Sequence, residues 1–330
     1  MSGNTRADCY RRLDPYFSEQ RAWPLRGWNP RPSLVSRISH FASINMRWAL
    51  ASGVLVPRGA WGSLPPNTER RRVFGLASGM GFSAIELSPR WCDFHKMTRQ
   101  ELRELRCEAA DSGLRISGLN LSRCILTRTD KASEHVERLR TSVMVADTLG
   151  AEVINVSLSM PTPPGPGRPP LLGEDVPEAE HQRSADLVAE VAEHARRSGI
   201  ALSVELHDDG LLDTPELCLQ FLERVGAPNV GVNPDVGNLC RGTTPFSDWK
   251  RDLMLLAPRT VWWHIKNYRD SRPVPVWDGD IDYYWALVVM RGVGYEAWAS
   301  IESYWGDLNS QEQDLQYLKR LDAISEGVTA

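Results

Sequence analysis

From Met46 onward, short apolar runs alternate with longer helix-like stretches. Strand-like runs fall at 46–52 (MRWALAS), 83–88 (SAIELS), 114–121 (LRISGLNL), 151–158 (AEVINVSL), 200–207, 230–235, 260–266 (TVWWHIK) and 297–303 (AWASIES). Helix-like segments lie between and after them, among them 98–112, 130–149, 179–198, 245–257, 280–291 and 309–325. Thr98 with Glu101 three residues on makes a capping-box pattern. Gly113, Gly150 and Gly199 each stand just before a strand, where a helix end takes up a left-handed residue. Eight strands alternating with eight helices over 45–330 match a (β/α)8 TIM barrel, an α/β fold, in count and length. The rival is a doubly wound open sheet, which lacks here the Gly-rich phosphate loop that would follow its first strand.

The stretch 200–238, IALSVELHDDGLLDTPELCLQFLERVGAPNVGVNPDVGN, shows the repeating unit most plainly. Ser203, Glu205 and His207 share one face of a strand and Leu202, Val204 and Leu206 the other, because side chains alternate with period two. Asp213 or Thr214 caps the helix that follows, Pro215 opens its first turn, and Gly226 and Pro228 end it. Both strands of the unit finish on a carboxylate, Glu205 and Asp235. In a barrel that places the two acids on the C-terminal rim, where catalytic groups sit.

Residues 1–44 break the pattern. Rich in Arg, Pro and Ser and without sustained periodicity, they read as an irregular or disordered N-terminal extension ahead of the barrel. They hold no apolar h-region, and Asp8, Asp14 and Glu19 argue against a transit peptide. Met46 is a second candidate translation start. The loop 160–173, MPTPPGPGRPPLLG, follows the fourth strand onto the catalytic rim as either a surface insertion or a lid; its Pro and Gly exclude helix and sheet. A net charge of −4 argues against nucleic acid as the main partner. No apolar run is long enough to span a bilayer. Six scattered cysteines without a CxxC pair fit the reduced thiols of a cytoplasmic protein.

Candidate chemistry gathers on the last four strands. Glu205 ends the fifth and Asp235 the sixth. On the seventh, Trp262, His264 and Lys266 share a face; on the eighth, Trp298, Ser300, Glu302 and Tyr304 do. Three carboxylates and an imidazole would then point into one rim, and a divalent cation removes the conflict between their like charges. Oxygen donors with a single nitrogen suit Mn²⁺ first, with Mg²⁺, Co²⁺ or Fe²⁺ as alternatives to a thiolate-rich zinc site. Each residue alone is ordinary at a strand end; the ordered four together carry the inference. Trp262, Trp298 and Trp305 either stack on sugar faces or fill the barrel.

The ordered set SVELHDD, VGVNPDVGN, WWHIKNYRD and WASIES resembles the xylose isomerase-like TIM barrel superfamily, which includes sugar phosphate isomerases/epimerases, ketose 3-epimerases and inosose dehydratases. The resemblance implies one divalent metal held by Glu205, Asp235, His264 and Glu302. It further implies that Glu205 and Glu302 act as acid/base residues on a sugar, keto-sugar or sugar phosphate, through a metal-stabilised enediolate. Lys266 matches the family's H-x-K and would touch a substrate oxygen or orient a ligand. Asn238 stands where ketose 3-epimerases place a substrate-binding histidine; it can hydrogen-bond a hydroxyl but carries no charge, so DVGN points to the broader isomerase/epimerase group. His207 is a proton donor or sugar contact, or else a loop-start residue tied to backbone. Arg269 reaches an anionic substrate group or is a solvated loop charge. Glu86, inward on the second strand, is a weaker candidate. The expected partner is a small carbohydrate, with homo-oligomerisation left open.

The same constellation serves epimerisation, isomerisation and dehydration, so a lyase or dehydratase acting on an inosose or oxidised glycoside is the alternative. A DNA-repair enzyme of the endonuclease IV type would need several histidines for three zinc ions. His40, His95, His135, His181 and His194 fall in the extension, loops or helices, and Asn238 replaces one needed ligand.

Overall fold

Eight parallel strands surround the centre of the molecule: β1 (Arg47–Ala51), β2 (Ala84–Leu87), β3 (Arg115–Cys124), β4 (Val153–Leu158), β5 (Ala201–Glu205), β6 (Val230–Asn233), β7 (Trp263–Ile265) and, after a hairpin of β8 (Asn267–Arg269) and β9 (Arg272–Val274), β10 (Trp298–Ile301). They are ordered β6-β5-β4-β3-β2-β1-β10-β7. Closure comes from a parallel bridge between Val232 on β6 and Thr260, just ahead of β7, and from the Val261 N–H donating to the Val232 carbonyl at 3.1 Å. This is the expected TIM barrel. The computed structural model describes residues 46–57, 62, 64–127, 129–160, 171–241 and 248–329. The extension expected at 1–44 and the central part of the candidate lid, 161–170, lie outside the described residues.

Helices α1 (Asn67–Gly79), α2 (Arg99–Asp111), α3 (Thr129–Leu149), α4 (Glu178–Arg197), α5 (Pro215–Val225), the single turn α6 (Val236–Leu239), α7 (Trp249–Leu256), α8 (Tyr283–Gly292) and α9 (Leu308–Thr329) alternate with the strands. The capping box at Thr98 and Glu101 is formed. At α5 the cap is Thr214, whose hydroxyl accepts from the Leu217 N–H; Asp213 turns away and accepts from the Gly173 N–H at 2.8 Å.

Two apolar layers follow from the period-two strands. Leu202, Val204, Ile154 and Ile265 point outward into the shell shared with the helices. Ala49, Ala84, Val153, Ala201, Trp262 and Trp298 fill the base of the barrel. The two indoles take space that the small residues around them leave. Gly118 is part of that fit, because a Cβ there would lie 2.9 Å from Trp262 Cη2. Beneath, Arg47 stacks 3.8 Å from the Trp298 ring, and both Arg47 and Arg115 pair with Glu152, at 2.8 and 2.7 Å. Trp262 and Trp298 are therefore barrel filling. Trp262→Ala is expected to cost about 3–5 kcal/mol, read as a lowered urea midpoint; a change under about 1 kcal/mol would contradict the packing account.

Cys92, Cys124, Cys218 and Cys240 are free thiols, and burial pushes Cys92, Cys124 and Cys240 up to about 12. Among the described residues no helix is long and apolar enough to cross a membrane.

Candidate active site and metal centre

The strand ends bring the four candidate donors to one point. Glu205 closes β5, Asp235 follows β6 by two residues, His264 lies mid-β7 and Glu302 follows β10 directly. From His264 Nδ1 the distances are 3.7 Å to Glu205 Oε1, 3.6 Å to Asp235 Oδ2 and 3.7 Å to Glu302 Oε2. One donor atom from each of the four lies within 4.8 Å of the other three. These separations are too long for hydrogen bonds and suit ligands that share an ion about 2 Å from each. His264 Nδ1 and Asp235 Oδ1 are buried and have no hydrogen-bond partner. The residues present therefore fit a divalent cation, and the absence of sulfur from the set favours Mn²⁺ or Mg²⁺ chemistry over a structural zinc site.

The motif NPDVGN is legible residue by residue. Asn233 Oδ1 accepts from the His264 N–H at 2.9 Å, fixing β7 against β6. Asp235 contributes its carboxylate. At Gly237 any Cβ would meet Lys266 Cγ at 2.6 Å, so the bare backbone lets the lysine pass. Asn238 donates to Glu205 Oε1 and to the Leu206 carbonyl, both at 3.0 Å. It thus orients a glutamate, and its buried, unpartnered Oδ1 is what remains to meet a ligand.

The two glutamates are held differently. Glu205 receives neutral amides on both oxygens, Asn238 on Oε1 and Asn155 on Oε2 at 3.0 Å. Glu302 receives the Lys266 ammonium on Oε2 at 2.7 Å and the Tyr304 hydroxyl on Oε1 at 2.9 Å. Lys266 also lies 2.6 Å from Asp235 Oδ2, and its backbone is clamped by the Tyr283 hydroxyl, which accepts from its N–H and donates to its carbonyl. His264 donates from Nε2 to Glu86 Oε2 at 3.0 Å, which turns the Nδ1 lone pair toward the carboxylates.

Four buried carboxylates (Glu86, Glu205, Asp235, Glu302) face one ammonium and one imidazole. Burial by itself pushes the Glu205 and Glu302 carboxyls up. His264 and Lys266 outweigh it, holding Glu205 well below the usual range and Glu302 below it. Conversely burial works to discharge His264 and Lys266, and the carboxylates (Glu86 and Glu302 around the imidazole, Asp235 and Glu302 around the ammonium) raise both well above their ordinary values. A cation at Nδ1 would take the place of that imidazole proton.

Of these residues Glu205, Lys266 and Glu302 line a cavity of about 280 Å³ whose walls include Arg90, Asn120, Arg123, His207, Arg241 and Tyr304. The size suits a small metabolite. His207 lines it, with Nδ1 2.5 Å from Asp209 Oδ1. His207, Asp208 and Asp209 also cluster closely enough for an ion, but Arg241 already donates to Asp208 Oδ1 and lies 3.3 Å from the His207 ring. The guanidinium supplies the positive charge there. Arg269 is placed elsewhere: half-exposed at the end of β8, it pairs with Asp278 at 2.8 Å and does not line the cavity. The hairpin that follows β7 carries it outward.

Sequence reasoning undervalues Glu86 and passes over Asn155, Arg90, Arg123 and Arg241. Asn155 and Glu86 share the inward parity of their strands, a signal open to reading; the arginines lie on rim loops or past a bulge, where periodicity says nothing. Glu86→Ala would leave His264 Nε2 unpartnered, and the expected result is a 10–100-fold loss of Mn²⁺ affinity, measured by competition with a chelating indicator. Unchanged affinity would remove Glu86 from the account.

Comparison with known proteins places the fold. A family model described as xylose isomerase-like TIM barrel matches residues 74–321, and the chain belongs to that family. Among solved structures, a xylose isomerase-like TIM barrel protein from Mycobacterium smegmatis in complex with magnesium superposes with a TM-score of 0.73 at 22% identity, covering 87% of this chain and 99% of the other. An L-ribulose 3-epimerase does so with a TM-score of 0.66 at 20% identity, covering 87% and 99%. A probable L-ribulose-5-phosphate 3-epimerase from Mycoplasma pneumoniae is 28% identical over 99 residues, which span 29% of this chain and 32% of the relative's length.

Proposed function

We propose that the protein is a divalent-metal-dependent isomerase or epimerase of a small sugar, keto-sugar or sugar phosphate. The observation that carries this reading is the pair of glutamates, each 3.7 Å from His264 Nδ1 at the floor of one cavity and each held by a different set of partners. Glu205, Asp235, His264 and Glu302 would hold the ion, Mn²⁺ being the first choice. When bound, such an ion polarises a carbonyl and acidifies the adjacent C–H.

The chain's own residues do the rest. Glu205 and Glu302 are ionised bases; one takes the proton from the acidified carbon, and the other, once it has taken up a proton from solvent, donates it back to the substrate. Asn155 and Asn238 fix the Glu205 carboxylate plane by donating to both oxygens. Lys266 and Tyr304 do the same for Glu302 and supply donors beside it for a substrate hydroxyl. Return of the proton to the opposite face gives the epimer, and its return to the neighbouring carbon gives the isomer. Incubating the Mn²⁺-loaded protein with ketoses, sugar phosphates and inososes in D₂O tests the reading. Deuterium should enter at the carbon beside the carbonyl with no loss of water. Loss of water instead would make the protein a dehydratase, and no exchange with any of them would overturn the acid/base assignment.

A further inference from the structure

With Arg269 facing away, the positive charge in the cavity comes from residues of other elements. Arg90 follows β2, Arg123 lies near the end of β3 and Arg241 follows α6; all three line the same cavity as the glutamates. Arg123 is placed there by a local irregularity. The register between β3 and β4 shifts between Asn120 and Arg123, and Ser122 has φ of 55°, a left-handed conformation rare for a residue with a side chain. The Asn120 Oδ1, accepting from the Ser122 N–H at 2.9 Å, holds this turn in place. Bulges and such backbone outliers cluster at sites where a side chain has to be re-aimed.

The guanidiniums are tied into a frame. Arg123 donates to Asp209 Oδ2 at 2.7 Å, Asp209 Oδ1 lies 2.5 Å from His207 Nδ1, and Arg241 bridges His207 and Asp208. Arg90 donates to the Pro57 carbonyl at 3.1 Å. Asp209 pairs with Arg123 and Asp208 with Arg241 on this wall. Ser157, 2% exposed, adds a hydroxyl with no partner on the same cavity. Hydroxyls of a neutral sugar are met by amides and carboxylates; three forked guanidiniums match the oxygens of an oxyanion.

We infer that the substrate of this site carries an oxyanionic group, a phosphate or a carboxylate, received by Arg123 together with Arg90 and Arg241 in the cavity that Glu205 and Glu302 also line. The inference rests on the sugar reading above, and its test reads binding and not turnover. The Mn²⁺-loaded full chain is titrated calorimetrically with D-ribulose, D-ribulose 5-phosphate and 2-keto-D-gluconate. At least one charged probe should bind about tenfold or more tightly than D-ribulose, the scale of a charge-assisted hydrogen bond; which probe wins identifies phosphate or carboxylate. Arg123→Met should bring the ratio to within about threefold, and Arg123→Lys should leave it in between. The inference is overturned if D-ribulose binds as well as both charged probes, or if the preference survives in Arg123→Met. Should that variant not fold, the wild-type ratio still decides. A preference for charge without deuterium exchange would refute the epimerase reading and leave this one standing; exchange on neutral D-ribulose without such a preference would refute this one alone.

Discussion

Glu302→Gln, loaded with Mn²⁺, is expected to lose about 10²–10⁴-fold of its rate of solvent-proton exchange, and Glu205→Gln a similar amount. The substitution keeps the side chain's size and removes the base. At Glu302 the Oε2 accepts from Lys266 at 2.7 Å and the Oε1 from Tyr304 at 2.9 Å, so an amide NH₂ at either position takes away one donor's acceptor. At Glu205 the Asn155 and Asn238 amides face both oxygens, and a glutamine must set its NH₂ against one of them. Glu205→Gln should still bind metal, because three of the four donors and its own carbonyl oxygen remain. Loss of exchange with metal retained separates the acid/base role from ligation. Full exchange in both variants would end the assignment.

Lys266→Met is expected to destabilise the metal-free protein by about 3–5 kcal/mol, the usual cost of leaving a buried charge without its partner. Lys266 sits 2.6 Å from Asp235 and 2.7 Å from Glu302, 4% exposed, so its removal leaves carboxylates facing one another. A direction in pH follows. Glu205 and Glu302 are held below 4.5 in the folded chain, so the unfolded chain binds more protons as pH falls toward and below that value. Their stabilisation is complete above about pH 5 and is lost as the solution becomes more acidic. Without Lys266 the two pKa values rise and the loss begins at higher pH. Added Mn²⁺ should restore more stability to Lys266→Met than to the wild type, since the competing ammonium is gone. Urea titrations with EDTA and with Mn²⁺ check both statements. Equal stability of the two metal-free proteins would show that Lys266 balances nothing.

The barrel was legible because each unit declares itself locally. Buried strands read as apolar runs, and the period-two alternation separates Leu202 and Val204 from Ser203 and Glu205 with no reference to tertiary structure. Strand lengths were less legible: 260–266 reads as one strand, whereas only Trp263–Ile265 pair as β7. The hairpin β8–β9 escapes the sequence because its turn uses Asp270 and Ser271 at φ of 49° and 62°, without the glycine that normally marks such turns. The candidate donors stood out as acids and a histidine on inward parity at successive strand ends. Their supporting residues did not. Asn238 reads as a substrate contact, and nothing in its motif reports that its amide also bonds Glu205; Arg269 looks usable until β8 carries it outward. Arg123 depends on the left-handed Ser122, which no periodicity reports.

The most direct measurement is anomalous diffraction from crystals soaked in Mn²⁺. One peak per chain is expected among Glu205, Asp235, His264 and Glu302, at about 2.0–2.3 Å from each donor, and it should vanish in His264→Ala. A strong peak at His207, Asp208 and Asp209 instead, or none among the four at saturating metal, would contradict the account.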